Sequence, residues 1–290
     1  MLKRVALCAT VGALTIAVVA AVGAVFCAGT LHVPRRASAS HPTAETVELV
    51  AGDGARLRAW WLHPSAPNGN CVIVMHGIAD SRRGSVAFAP MFLDQGYAVL
   101  APDSRAHGES GGSLVTYGLL EKYDVLGWAR WMRDNGCGKV YGLGESLGAA
   151  VLIQAAAVEP AFAAVVAESS YSDLLTIGEY RVRQRIDLPS VVAVPLAKVV
   201  VGIGLVYARL AYDLDFRQVS PVRSTGQTST PILLIHGLAD RETPASHSQA
   251  LAAANPRNRL WLVPNAKHTG ASASAPDEFR ARVLEWFATH

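Results

Sequence analysis

From Cys71 to the C-terminus the chain alternates short apolar runs with segments of helical period, and this alternation most narrows the folds open to it. The apolar runs read CVIVMHG, YAVLAPD, KVYGLGE, FAAVVAE, PILLIHG and RLWLVPN. Each has strand length and is bounded by turn residues. Between them lie a segment around Phe88 to Gln95, helical stretches from Leu119 to Arg133 and from Leu147 to Val158, and a last helix from Asp277 to Ala288. Strands joined by helical crossovers run parallel, and such a sheet is covered by helices on both faces. Ahead of this region, TVELV and RLRAWWL flank Gly52-Asp53-Gly54, the pattern of a β-hairpin with a Gly-rich turn. An α/β fold follows, with a mostly parallel sheet and its ligand site at the carboxyl ends of the strands.

Two segments break the rhythm. From Val5 to Pro34 there is no charged residue, with Lys3-Arg4 before the run and Arg35-Arg36 after it. At ~1.5 Å rise per residue, about 20 apolar residues cross a bilayer core, so this run is long enough to span. A cleaved signal peptide is the rival, because Ala37-Ser38-Ala39 resembles a small-residue cleavage site. Secretory apolar cores are shorter, however, at roughly 7–15 residues. The expectation is an uncleaved single-pass transmembrane anchor over residues 1–36, a polar linker over 37–45 and a folded domain over 46–290. The basic flanks are equal and do not set the orientation; the expectation is the domain on the exported side. Bulky Phe26 ahead of Cys27 argues against a lipoprotein site, and Cys8 and Cys27 read as small membrane-facing residues.

The second break, about 171–220, contains VVAVPLAKVVVGIGLVYARLAY. Pro195, Lys198, Gly202 and Gly204 argue against a second span, and the segment reads as a helical cap inserted between two strands. With 26 basic and 23 acidic side chains the net charge is only +3, which gives no footprint for nucleic acid. Removing residues 1–36, which carry four basic and no acidic side chains, leaves −1. At 51% hydrophobic residues the chain is not a disordered one. None of the four Cys is paired as C-x-x-C, so no zinc site is expected. Cys71 and Cys137 each precede a strand-like run; they either bond in an exported domain or remain buried thiols.

Gly144-Glu145-Ser146-Leu147-Gly148 matches G-x-S-x-G, in which small flanking residues let a serine sit on a sharp strand-to-helix turn with its oxygen exposed. A second match, Gly108-Glu109-Ser110-Gly111-Gly112, follows no strand and opens no helix, so Ser110 reads as a loop residue. A serine hydroxyl needs a base held by an acid. Asp240, just after PILLIHG, fits the acid, and His268, between the last strand and the last helix, fits the base. Serine, acid and base thus occur in the order nucleophile, acid, base. Backbone N–H groups of Leu147, after the serine, and of Ile78, after His76-Gly77, fit an oxyanion hole. His76 and His236 read as structural hydrogen-bonding residues. Glu168 and Asp173 are the alternative acids, and Arg82 and Arg83 could hold a carboxylate.

The set HGIADSR, PDSRAHGESGG, GLGESLGA, YDLDFRQVSPV, PILLIHGLADRETP and PNAKH resembles the α/β-hydrolase superfamily from about Thr46 onward, in its Bem46-like and serine-aminopeptidase-like branch. The resemblance implies an α/β-hydrolase fold with a sheet of eight strands, a cap before the acid-bearing strand, and Ser146, Asp240 and His268 as triad. It also implies that the strand from Cys71 lies beside the one following Cys137. Two positions depart from the family: Ala106 and Lys267 stand where relatives usually carry Gly. The Val-rich, Leu-rich cap suggests an apolar acyl or alkyl group, hence cleavage of a carboxylic ester or thioester through an acyl-enzyme, with no metal and no cofactor needed. The rivals are a peptidase or amidase and a catalytically idle, membrane-tethered binding protein. The expected partners are a small acyl ester or thioester substrate and the lipid bilayer around the N-terminal helix. A triad also forbids the stretch Val191 to Tyr212 from crossing a bilayer, because Ser146 and His268 would then lie on opposite sides.

Overall fold

A computed structural model describes residues 2–36 and 40–290, so the candidate cleavage site Ala37-Ser38-Ala39 lies outside the described residues. In chain order the elements begin with α1 (Leu2–Leu31), β1 (Glu45–Val50), β2 (Arg56–Leu62), β3 (Cys71–Met75), α2 (Arg82–Ser85), α3 (Ala89–Leu93) and β4 (Ala98–Pro102). Then come α4 (Glu121–Asp134), β5 (Val140–Glu145), α5 (Leu147–Val158), β6 (Val165–Glu168), α6 (Leu174–Arg183), α7 (Ser190–Tyr212) and α8 (Pro221–Gln227). The last are β7 (Ile232–Gly237), α9 (Ser246–Ala253), β8 (Arg259–Val263), α10 (Ala271–Ser274) and α11 (Pro276–Ala288). They form two compact units, one of residues up to His32 with Leu174–Gln218, the other of Val33–Asp173 with Val219–His290.

The larger unit is built on one eight-stranded sheet in the order β1-β2-β4-β3-β5-β6-β7-β8. β1, β2 and β4 pair antiparallel, and every pairing from β4 through β3 to β8 is parallel. This is the expected α/β-hydrolase sheet. Its central strands carry apolar residues on both faces because both faces are covered: all of β3, β6 and β7 is buried. The edge strand β1 instead exposes Glu45 and Glu48. On one face Phe92, Tyr141 and Phe287 stack over Val72, Val74 and Val166, with Tyr141 and Phe287 ring centroids 4.7 Å apart. α5 is buried along nearly its whole length, from Leu147 to Ala156, and its run of Ala allows close approach to the sheet.

Register brings the chemistry to one edge. Met75 lies opposite Gly144, Glu145 opposite Glu168, and Gly237 opposite Val263, so the loops after β3, β5, β6, β7 and β8 all leave the same end of the sheet. Cys71 and Cys137 form a disulfide with Cα atoms 5.7 Å apart, tying the start of β3 to the turn before β5. Arg82 departs from expectation. It is buried, not a free cation at the loop: it pairs with Asp103 at 3.4 Å and with Glu109, and lies 4.8 Å over the Trp60 ring.

The smaller unit holds α1, α6 and α7. Cys27 is buried there at 7% exposure, packed beside Gly204 of α7, rather than membrane-facing as expected. A small side chain suits that position because two helix backbones approach each other there.

Candidate active site

β5 ends at Glu145 and α5 begins at Leu147, so Ser146 alone makes the turn, with φ 50° and ψ −109°. A left-handed φ is strained for any residue with a Cβ, and it persists only where the surroundings over-determine it. Here they do. A Cβ on Gly144 would lie 2.6 Å from the Gly148 carbonyl carbon, and one on Gly148 would lie 2.6 Å from the Met75 oxygen. Both glycines are therefore required by contact. The Ser146 N–H donates to the Glu168 oxygen at 2.8 Å, pinning the turn to the end of β6.

His268 brings the rest together. Its Nε2 is 2.9 Å from Ser146 Oγ, and its Nδ1 is 2.7 Å from Asp240 Oδ2. The other Asp240 oxygen, Oδ1, accepts the N–H groups of Glu242 at 2.8 Å and Thr243 at 2.9 Å. Burial pushes the Asp240 carboxyl up, but hydrogen bonds from His236, His268 and the Thr243 N–H outweigh it and hold the group well below the usual carboxylate range. An ionised Asp240 makes Nδ1 the protonated nitrogen of neutral His268, which leaves Nε2 free to accept the serine proton. Neither Glu168 nor Asp173 takes this place, since both ring nitrogens of His268 are already engaged.

The base sits on a braced loop. Asn265 and Thr269 adopt φ of 61° and 50°, and Lys267 between them needs no left-handed backbone, so the departure from Gly is tolerated. The Thr269 N–H donates to Ser169 Oγ at 3.1 Å, and the Ala271 N–H to Glu168 Oε1 at 2.8 Å. These two supports are what sequence reading missed. Their only signal is a polar pair, Glu168-Ser169, at the end of an otherwise apolar strand. Burial, opposed in part by the Ala271 N–H, pushes Glu168 up to about 7. Burial and then the neighbouring Glu168 and Asp80 push Glu145 up to about 8.

The second loop meets the serine from β3. A Cβ on Gly77 would lie 3.6 Å from Ser146 Cβ, which puts the Ile78 segment directly beside the nucleophile. His76 shapes that segment: its Nδ1–H donates to the Gly77 oxygen at 2.7 Å, and its Nε2 accepts the Ser104 N–H at 3.0 Å. Burial, then the neighbouring His107, takes its pKa down to about 3, so it stays neutral. His107 Nε2 in turn accepts the N–H of Ala79 at 3.1 Å. Leu147, the first residue of α5, offers an N–H that has no intrahelical acceptor. His236 donates Nε2–H to the Thr243 oxygen at 2.7 Å and accepts from Ser248 Oγ at 2.6 Å, a supporting role. Ser110 is buried, its hydroxyl shared between the Asp103 oxygen at 2.7 Å and the Arg58 N–H at 2.9 Å. As arranged, the site can deprotonate a serine and hold a negative oxygen beside it.

A family model described as the alpha/beta hydrolase family matches residues 72–282. Among known proteins the chain is similar to YqkD of Bacillus subtilis, with 28% identity over 222 residues, covering 75% of this chain and 70% of that protein. It is similar to the 2,6-dihydropseudooxynicotine hydrolase of Paenarthrobacter nicotinovorans, with 29% identity over 238 residues, 77% of this chain and 58% of that one. Among solved structures the Pyrococcus furiosus esterase Pf2001 superposes with a TM-score of 0.73 at 26% identity, covering 90% of this chain and 98% of that one.

Proposed function

The chain belongs to the alpha/beta hydrolase family, and from that premise we propose that it is a membrane-anchored serine hydrolase cleaving carboxylic esters or thioesters. The observation that carries this reading is the continuous hydrogen-bond chain from Ser146 Oγ through His268 to Asp240, on a serine held in a strained turn. Ser146 Oγ attacks the acyl carbonyl while His268 Nε2 takes its proton. The carbonyl electron pair moves to the oxygen, which the N–H groups of Leu147 and Ile78 hold, each worth typically about 10²–10³ in rate. Collapse re-forms the carbonyl and expels the alcohol or thiol, which takes the proton from His268. Water, deprotonated by the same nitrogen, then releases the acid and restores Ser146. Asp240 fixes the imidazole tautomer throughout.

The likeness to an esterase favours an ester over an amide. Of the two candidate anchors for a peptide carboxylate, Arg82 is buried in ion pairs with Asp103 and Glu109, which leaves Arg83 alone exposed. The uncharged run of α1 supports the anchor. The Cys71 to Cys137 disulfide supports a catalytic unit on the oxidising, exported side.

The test is a panel of esters, thioesters and aminoacyl amides given to the full chain and to Ser146→Ala, with a fluorophosphonate probe alongside. Ester turnover should fall at least about a thousandfold in Ser146→Ala, and labelling should vanish. Equal turnover in the two would overturn the nucleophile. Absence of both turnover and labelling in the unaltered chain would favour the idle binding protein.

A further inference from the structure

α7 is apolar where a helix of a soluble unit should be polar. Its inner face is made of small residues, with Ala193, Ala197, Gly204 and Ala208 buried. Its outer face exposes Val191, Val192, Val199, Val206 and Leu210, the first and last at 82%. Over its 23 residues the only charges are Lys198 and Arg209. An amphipathic surface helix would place charge on that outer stripe. Lys198 and Arg209 are exposed along one border of that stripe, and an exposed apolar stripe so sparsely charged marks a partner.

What covers it is indicated by α1. A Cβ on Gly23 would lie 2.6 Å from Ile203 Cγ2 and 3.0 Å from the Val200 oxygen, and one on Gly204 would lie 3.4 Å from Cys27 Cβ. Farther along, the rings of His32 and Tyr212 are 6.1 Å apart. Gly23, Cys27 and His32 thus meet successive turns of α7, so the two helices run side by side in the same direction. Close approach at small residues is the packing mode of helices in lipid. α1 also leaves an apolar stripe uncovered, at Val18, Val22 and Val25. Whatever medium surrounds the second half of α1 therefore reaches α7.

Charge and shape name that medium. The residues of this unit hold eight basic and four acidic side chains, against net −1 for the rest of the chain, and Arg181, Arg183 and Arg185 lead into α7. Basic residues flanking an apolar surface favour anionic headgroups. Between α1, α6 and α7 lies an apolar cavity of about 340 Å³, walled by Val22, Phe26, Val182, Leu196 and Val200. Arg185 borders it, with its guanidinium 5.7 Å from the Phe26 ring centre. Apolar walls with one cation fit an acyl chain beneath a phosphate. α7 cannot cross, because the strands before and after it, β6 and β7, lie side by side in one sheet, with Val165 opposite Ile232.

We propose that α7 is a second lipid-contacting element, which together with the second half of α1 lies along, not across, one leaflet of an anionic bilayer with Val191, Val199, Val206 and Leu210 facing acyl chains. The proposal rests on reading α1 as the anchor. It predicts that a fluorophore on α7 sits in lipid.

The experiment uses the full chain with Ser146 intact, in a Cys8→Ser/Cys27→Ser background, carrying Val206→Cys or Leu210→Cys labelled with an environment-sensitive dye. Val25→Cys and Asp277→Cys are the lipid and water references. In vesicles of phosphatidylcholine with phosphatidylglycerol, the α7 labels should emit as blue as the Val25 label and be quenched by spin-labelled acyl chains. Water-like emission equal to that at Asp277 overturns the proposal. So does blue emission that spin-labelled lipid leaves unquenched, which would mean a second protein covers the stripe. A Val25 label in water overturns it together with the anchor. Fluorophosphonate labelling of the same samples checks folding and reports on the catalytic reading separately.

Discussion

Asp240 is more than a charge near a histidine. Its Oδ1 accepts two backbone N–H groups, so an Asn at this position would keep its carbonyl oxygen there and turn its NH₂ toward His268 Nδ1. That forces the proton onto Nε2, the wrong tautomer for accepting from Ser146. Asp240→Asn should therefore fold normally and lose about 10⁴ in kcat, measured on a short-chain ester with thermal unfolding as the control. Glu145 behaves in the opposite sense. Its pKa is raised to about 8 in the folded chain, so between about 4.5 and 8 the unfolded chain gives up a proton that the folded chain keeps. Stability then falls as pH rises through that window, by at most about 1.4 kcal/mol per unit, and levels above it. Glu168, pushed up to about 7 beside it, adds a slope of the same sign, so Glu145→Gln should reduce the slope without abolishing it, gaining on the unaltered chain at pH 8 and matching it near pH 4; parallel urea midpoints across the window would refute the assignment. The meeting of Ser146, His268 and Asp240 was legible in sequence because each follows an apolar strand. Burial was not: Arg82 reads as an exposed cation until its loop is seen folded against Asp103, Glu109 and Trp60. Ala106 is similar. Its φ of 60° is one that a Gly would adopt without strain, yet nothing in this chain's own residues announces it.

At the scale of elements, the parallel strands were readable because burial on both faces makes them apolar throughout, as in β3 and β7. Pairing was less so. Strand order comes from which crossovers are made, and no local pattern places β3 between β4 and β5. The disulfide depends on that order, which is why the two thiols could not be joined from sequence alone. It closes a loop of 66 residues, and in the chain-entropy picture such a cross-link restricts the unfolded state by about 4 kcal/mol. The full chain with Cys71→Ser and Cys137→Ser should unfold at a clearly lower urea midpoint, while fluorophosphonate labelling of Ser146 in the absence of denaturant persists. An unchanged midpoint would mean that the bond is strained or that the unfolded chain is already compact.

Across the whole molecule, sequence reading separates an anchor over residues 1–36 from a domain that begins at about Thr46. Contacts group the chain differently, placing α1 with α6 and α7 and leaving the sheet to the other unit. The reason is physical: an apolar run looks the same whether its neighbour is a lipid tail or another apolar helix, so the run from Val5 to Pro34 could not reveal α7 beside it. This bears on any attempt to prepare the enzyme without its N-terminus. Starting the chain at Thr43 would strip α1 from α7 and uncover the small-residue face around Ala197, Gly204 and Ala208, while Val191, Val199, Val206 and Leu210 are exposed already. α7 would then be apolar on two faces, with only Lys198 and Arg209 as charged groups turned to water. The sheet, the disulfide and the Ser146, His268 and Asp240 contacts lie within the other unit and do not include α1. The truncated chain should therefore react with a fluorophosphonate in detergent yet aggregate when the detergent is removed, as seen by size-exclusion chromatography. Adding charge to the outer stripe, with Val199→Lys and Val206→Glu, should raise its solubility without restoring the lost inner contact. A truncated chain that is monomeric and fully soluble without detergent would show that α7 is covered from within the protein.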